Sequence, residues 1–304
     1  MNITDYKNFL SDDKVVIFLL HGVITEKNNY CIRNYNNKHI TKSDFHLLIK
    51  SLSDYGKPVS MNDIIRFCEG EKPLPKSFAI TFDDGFHNNY INALPILINY
   101  NVPVTIYITT DFIDSNKMSW IDRIEWAFEN ISNIKIKLPF KEDISIASTN
   151  NSKIELLDNI RYYVKNNKSI NPNLFADLIQ KELNLPLTYS GHTELDRKLS
   201  WSEVAEINKN PIVTIGGHTH THNILSYLTD KKLEKEIKHS LYLIKKNTGI
   251  SVNHYSYPEG LDYTYDQRVI YHLKKNGILC CPSAQHGLIN INDNPFKLKR
   301  ITVV

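Results

Sequence analysis

Two rhythms of hydrophobic and polar residues run along this chain. Unbroken apolar runs, short enough for buried strands, alternate with segments in which apolar side chains recur every three to four positions. Residues 14–22 read as a buried strand that ends in His21 and Gly22. Residues 77–82 read as another, and it stops abruptly at Asp83, Asp84 and Gly85. Residues 102–109, 212–217, 277–281 and 296–303 continue the series, and a short strand ends at Tyr257-Pro-Glu-Gly260. Helical spacing appears at 41–52, 60–67 (capped by Ser60), 88–100, 199–207 (capped by Ser200), 230–247 and 266–275. In the 230–247 segment Leu233, Ile237, Leu241 and Ile244 share one face.

From Asp111 to about Asn210 the rhythm changes. Helical patterns near 121–129, 154–164 and 174–183 are joined by polar stretches, and the strands resume afterwards. The expectation is a single domain over 1–304 with a helical insertion at about 111–200. Strands alternating with helices predict an α/β fold with a largely parallel sheet. About seven strands are present, one short of a full eight-stranded α/β barrel. The polar residues gather where strands end, which is where such barrels carry their sites.

Composition narrows this picture only a little. The chain has 304 residues, 41% hydrophobic and 23% charged, enough for a sizeable core. The net charge is +3 and the charges are interspersed, which gives no reason to expect nucleic acid or membrane binding. No apolar run approaches the roughly 18 residues of a membrane span, so no transmembrane segment is expected. The run 15–20 is too short for a signal-peptide core and lacks a small-residue cleavage site. Cys31, Cys68, Cys280 and Cys281 form neither a disulfide framework nor a Cys-x-x-Cys metal spacing, which points to a reducing, cytoplasmic setting.

The chemistry lies at the strand ends. Two adjacent carboxylates at the mouth of a buried strand call for a cation or a shared proton. His218 and His222 are four apart in His218-Thr-His-Thr-His222, on one face if that turn is helical; on an extended strand His220 would join them. Two histidines and a carboxylate form a set used for zinc and related divalent ions.

Thr81-Phe-Asp-Asp-Gly85 followed by His218-Thr-x-x-His222 resembles the first two motifs of the polysaccharide deacetylases, the NodB-homology domain of carbohydrate esterase family 4. The resemblance extends to Ala93-Leu-Pro-Ile-Leu before Val102-Pro-Val-Thr, to Leu199-Ser-Trp201, and to Tyr257-Pro-x-Gly260. The closing Leu298-Lys-Arg-Ile301 resembles the group found with surface-polysaccharide biosynthesis. It implies a distorted (β/α)7 TIM-like barrel and a metal-dependent hydrolase that removes an N-acetyl group from an amino sugar or glycan intermediate. By position, Asp84, His218 and His222 would bind the metal and Asp83 would be the general base. The N–H of Glu259, after Tyr257 and Pro258, would donate to the oxyanion. Zinc is the default ion; cobalt, nickel, manganese or iron fit the same ligands.

Three departures matter. The family's late Leu-x-His motif is absent, but Leu19-Leu-His21 has that form on a strand that neighbours the last one in a closed barrel, so His21 is expected to be the general acid. Ser256 stands where the third motif commonly has arginine, and Arg300 is the candidate replacement, with a structural or substrate-binding ion pair as its other reading. The fourth, Asp/Trp motif has no clear counterpart. Trp120 and Asp122 could line a sugar groove, or Trp120 could simply anchor the insertion. Two other functional readings stay open: hydrolysis of another amide such as an N-formyl sugar, and a non-catalytic glycan-binding protein with a degenerate site.

Overall fold

Ten strands occur among the described residues of the computed structural model, which cover positions 1–27, 30–71 and 75–304. In chain order they are β1 (Val16–Leu20), β2 (Gly22–Ile24), β3 (His39–Thr41), β4 (Lys57–Pro58), β5 (Ser77–Phe82), β6 (Val104–Ile108), β7 (Ile134–Lys137), β8 (Ile144–Ala147), β9 (Val213–Gly217) and β10 (Ile301–Thr302). The chain divides into two compact units. The first comprises Met1–Lys27, Lys38–Asn116 and Lys198–Val304; the second comprises Asn28–Asn37 and Lys117–Arg197.

The first unit is built on a parallel sheet in the order β10-β1-β5-β6-β9, with β4 beside the start of β5. β1 and β5 run in register from Val16 opposite Phe78 to Leu20 opposite Phe82. β6 and β9 do so from Val104 opposite Val213 to Ile108 opposite Gly217. The sheet continues past β9 through parallel bridges joining Gly217 to Tyr255, His254 to Cys280 and Pro282 to Leu298, and returns through β10 to β1. The ring therefore consists of β1, β5, β6, β9, the segments at 254–255 and 280–282, and the segment that runs into β10. That is the distorted (β/α)7 barrel expected from the sequence. The segments after β9 make isolated bridges instead of ladders, and Pro282, which has no N–H to give, is one reason.

Alternation along these strands separates two cores. Val16, Phe18, Leu20, Phe78, Ile80 and Phe82 face outward into a cluster with Phe45, Leu48 and Leu52 of the helix Lys42–Tyr55. Ile17 and Ala79, on the opposite faces, join Cys280, Leu298 and the apolar side of the helix Met61–Cys68, which follows β4 where the strands begin. That helix starts at Ser60 with a full capping box to Asp63. The segment 88–100, expected as one helix, is a π-helical turn at Asn89–Ala93 followed by an α-helix at Leu94–Asn99. Pro95 has no N–H to offer the carbonyl of Ile91, which accounts for the change of ladder. Asn88 and Asn92 from this turn bind the backbone of Val23 in β2, just past His21.

In the second unit the helices Trp120–Glu129, Asn150–Lys165 and Pro172–Glu182 pack around Phe128, Leu157, Ile160 and Ile179. The antiparallel hairpin β7–β8 was not expected. Its first strand alternates Ile134 and Ile136 inward with Lys135 and Lys137 outward, but four residues are too few to stand out among helical patterns. The segment 30–37 also belongs here: the Glu129 carboxylate accepts from the N–H groups of Cys31, Ile32 and Arg33, and Arg33 pairs with Asp196.

Candidate active site

Because the strands run parallel and in register, the residues that follow them emerge on one rim: His21 after β1, Asp83 after β5 and His218 after β9. Asp84 and Gly85 both take left-handed backbone, φ 73° and 69°, which turns the chain sharply and sends the two adjacent carboxylates in different directions. At Gly85 a Cβ would also sit 3.0 Å from Ile108.

Asp83 points into a fully enclosed polar cluster. Arg300 grips it bidentately, Nη1 to Oδ1 at 2.9 Å and Nη2 to Oδ2 at 2.8 Å. The other Arg300 N–H groups go to the Ser283 carbonyl, Thr81 Oγ1 and Ser256 Oγ, so all five donors are committed and none is left for a substrate. Ser256, at the position where the family's arginine usually stands, also donates its hydroxyl to Asp83 at 3.2 Å. Burial by itself would push the Asp83 carboxyl up; the guanidinium of Arg300, helped by His218, holds it below the usual range, and it is ionised at neutral pH.

Asp84 faces the histidines. Its Oδ1 lies 3.2 Å from His222 Nε2 and 3.6 Å from His218 Nε2. The histidine segment is neither helix nor strand. Thr219 and His222 have φ of 70° and 57°, and the resulting curl brings the two rings to 4.9 Å while His220 turns away to Thr110. His218 Nδ1 lies 2.9 Å from the carbonyl of Ser256 and can only donate to it, so Nε2 carries a bare lone pair. Asp84 Oδ1 is buried and has no well-aligned hydrogen-bond donor. Lone pairs from a carboxylate and an imidazole thus converge on one point, an arrangement that is repulsive until a cation stands among them. Among the described residues these three form the one group of His, Cys, Asp and Glu side chains able to hold a metal ion, with ligand atoms within 4.8 Å of one another. The donor set fits a divalent cation.

A residue that the sequence reading missed completes the site. Lys38 Nζ lies 3.1 Å from Asp84 Oδ2 and 4.9 Å from the centre of the Phe86 ring. It sits in a polar loop just before β3, where no periodicity marks it. Lys38 is the principal counterion that holds the buried Asp84 carboxyl well below its ordinary value against the cost of desolvation.

The remaining candidates are placed as follows. His21 stands beside Asp83 at the end of the adjoining strand, where Asp83 N–H binds the Leu20 carbonyl at 3.0 Å. Burial, reinforced by Lys38 and Arg300, lowers its pKa to about 4 despite Asp84 and Asp83. Glu259 has a left-handed φ of 62° in the turn after Pro258. The His222 imidazole is held above its ordinary pKa, against burial, chiefly by Asp84, and Glu259 adds to that. Tyr257 is buried, stacked on Tyr265 at 4.1 Å, with its hydroxyl given to the Phe296 carbonyl. Trp120 belongs to the second unit and is 5% exposed within its core, which favours the anchoring role of the two weighed for it.

A parallel seven-segment ring with these groups on one rim defines the class of NodB-type carbohydrate esterases. Residues 70–280 match the family described as polysaccharide deacetylase, and the chain belongs to that family. It is 31% identical over 81 residues to YxkH of Bacillus subtilis (strain 168), whose name assigns it provisionally to the polysaccharide deacetylases; the match covers 26% of this chain and 29% of that protein's length. The fold is similar to Streptococcus pyogenes deacetylase PplD in complex with acetate (TM-score 0.60, 14% identity, 96% of this chain and 92% of that one). It is similar in the same way to IcaB from Ammonifex degensii (0.60, 13%, 97% and 94%) and to the BpsB deacetylase domain from Bordetella bronchiseptica (0.58, 16%, 97% and 97%). No helix among the described residues is long and apolar enough to cross a membrane.

Proposed function

We propose that the protein is a metal-dependent N-deacetylase that acts on an amino sugar, in a polysaccharide or a carrier-linked precursor, during assembly of a surface glycan. The observation that carries this reading is the division of the aspartate pair: Asp83 is ionised and locked by Arg300 and Ser256, while Asp84 turns its bare oxygen to His218 and His222. The solved relative PplD is described in complex with acetate, the product this reaction requires. Free cysteines, three of them buried, support the cytoplasmic setting expected from the sequence.

Asp84, His218 and His222 would hold the ion, zinc by default, which when bound supplies Lewis acidity and a water acidified toward neutral pH. Asp83 is the general base: it is charged, fixed in orientation and next to the ligand carboxylate, so it can take the proton of an attacking water. The N–H of Glu259, in its left-handed turn, would stabilise the carbonyl oxygen as it gains charge. His21 is the acid for the departing amine. Its lowered pKa leaves it neutral at pH 7, so the proton taken by Asp83 must pass to it before the C–N bond breaks. Arg300 orients and tunes the base and touches no substrate.

The degenerate-site alternative was motivated by Ser256 in place of the third-motif arginine and by the missing fourth motif; the contact of Arg300 with Asp83 answers the first of these and leaves the second. The test is release of acetate, formate and ammonia from a panel of N-acetylated and N-formylated sugars and simple amides, with and without added zinc. Metal-dependent acetate release, lost in Asp83→Asn, is expected. Formate release alone would shift the activity to N-formyl sugars, and no release from any substrate would leave a binding protein.

A further inference from the structure

We infer that Lys38 is a positioning residue that claims one oxygen of Asp84, so that the carboxylate can offer only the other to a metal ion. This rests on the reading of Asp84, His218 and His222 as ligands. The two oxygens of Asp84 have different neighbours. Oδ1 faces both imidazole Nε2 atoms, and Oδ2 faces the ammonium of Lys38 at 3.1 Å. The lysine is held there: its side chain is 18% exposed, its ammonium lies over the Phe86 ring, and the next residue, His39, is packed edge-on against that ring and bonded to Asn88 at 3.0 Å. A long, flexible side chain constrained on these sides is an ordered part of the site.

The arrangement has a thermodynamic cost and a chemical use. A positive charge this close to the ligand carboxylate opposes the binding of a dication, so Lys38 weakens the site for its metal. In return it draws charge from the carboxylate and keeps Oδ2 off the ion. The ion keeps more of its Lewis acidity, and a position stays open for water and substrate.

Affinity and turnover should therefore move in opposite directions when Lys38 is removed. The experiment uses the full chain, stripped with a chelator and reloaded with Co(II) as the probe. Kd is measured by competition with a chelating dye, the visible absorption reports coordination number, and thermal unfolding checks integrity. Lys38→Met is expected to bind Co(II) at least tenfold more tightly, to show weaker visible bands as the second carboxylate oxygen joins the ion, and to turn over at least tenfold more slowly. Lys38→Arg restores the cation and should return Kd toward that of the unaltered protein. Lys38→Met with unchanged or weaker Co(II) affinity overturns the inference, as does unchanged turnover. A protein with no deacetylase activity in any form would defeat the proposed reaction, while the affinity and spectra would still decide the role of Lys38.

Discussion

Asp83 and Arg300 form a buried ion pair with its hydrogen bonds filled, and each member is costly to leave alone. Removing one partner of such a pair costs about 3–5 kcal/mol because the other charge is stranded. Arg300→Gln should lower stability by about that amount, and turnover by a hundredfold or more as the base loses its orientation, read by denaturant titration and acetate release. Ser256→Ala removes one hydroxyl from the same cluster and should be milder, about 1 kcal/mol, with a turnover loss of severalfold. Asp83, Asp84, His218 and His222 were legible in the sequence because each lies in a compact motif whose chemistry follows from its neighbours. Arg300 and Asp83 meet across 217 positions, a pairing that only the closed ring creates. Lys38 gave no signal at all, since a lysine in a polar loop looks like any solvated charge.

At the scale of elements, the segment after β9 carries a different liability. His254 is fully buried, with Nε2 2.9 Å from Asn62 Oδ1 and Nδ1 3.0 Å from Cys280 Sγ. Desolvation lowers its pKa to about 4. The unfolded chain takes up this proton first, near pH 6.5, so stability is full above that value and falls as pH drops toward 4. The loss from His254 amounts to about 3 kcal/mol once both forms are protonated, given the shift from the ordinary histidine value to about 4. His21, lowered similarly, adds a loss of the same sign. His254→Gln should flatten this part of the profile, and urea unfolding at a series of pH values will show it. The same stretch explains why element prediction failed in places. The long ladders β1, β5, β6 and β9 announce themselves as apolar runs, whereas the bridges at 254–255 and 280–282 depend on partners supplied by the ring. The π turn before Pro95 arises from a hydrogen bond that cannot form, a deficit that apolar spacing does not register.

For the whole molecule, a metal that binds only the folded state adds stability by mass action, about 4 kcal/mol when free ion is a thousandfold above Kd. Chelation should lower the melting temperature and abolish turnover together, and re-addition should restore both. In Asp84→Ala the melting temperature should no longer respond to metal. The proposed ligands come from the ends of β5 and β9, yet Arg300 arrives on the segment that closes the ring, where β10 pairs with β1 at Phe18 opposite Ile301 and Leu19 opposite Thr302, and Val303 N–H adds a bond to the Leu19 carbonyl. Such a short seam is a natural place for local opening. If it parts while β5, β6 and β9 stay paired, the protein keeps its cation and loses the clamp on its base. Amide exchange at Val303, whose N–H is bonded to the Leu19 carbonyl of β1 at 2.9 Å, would then run ahead of exchange in β5, and mild denaturant would yield molecules that retain metal but do not turn over. Occupancy of the proposed centre would then be no measure of competence: the ring would be loaded and idle.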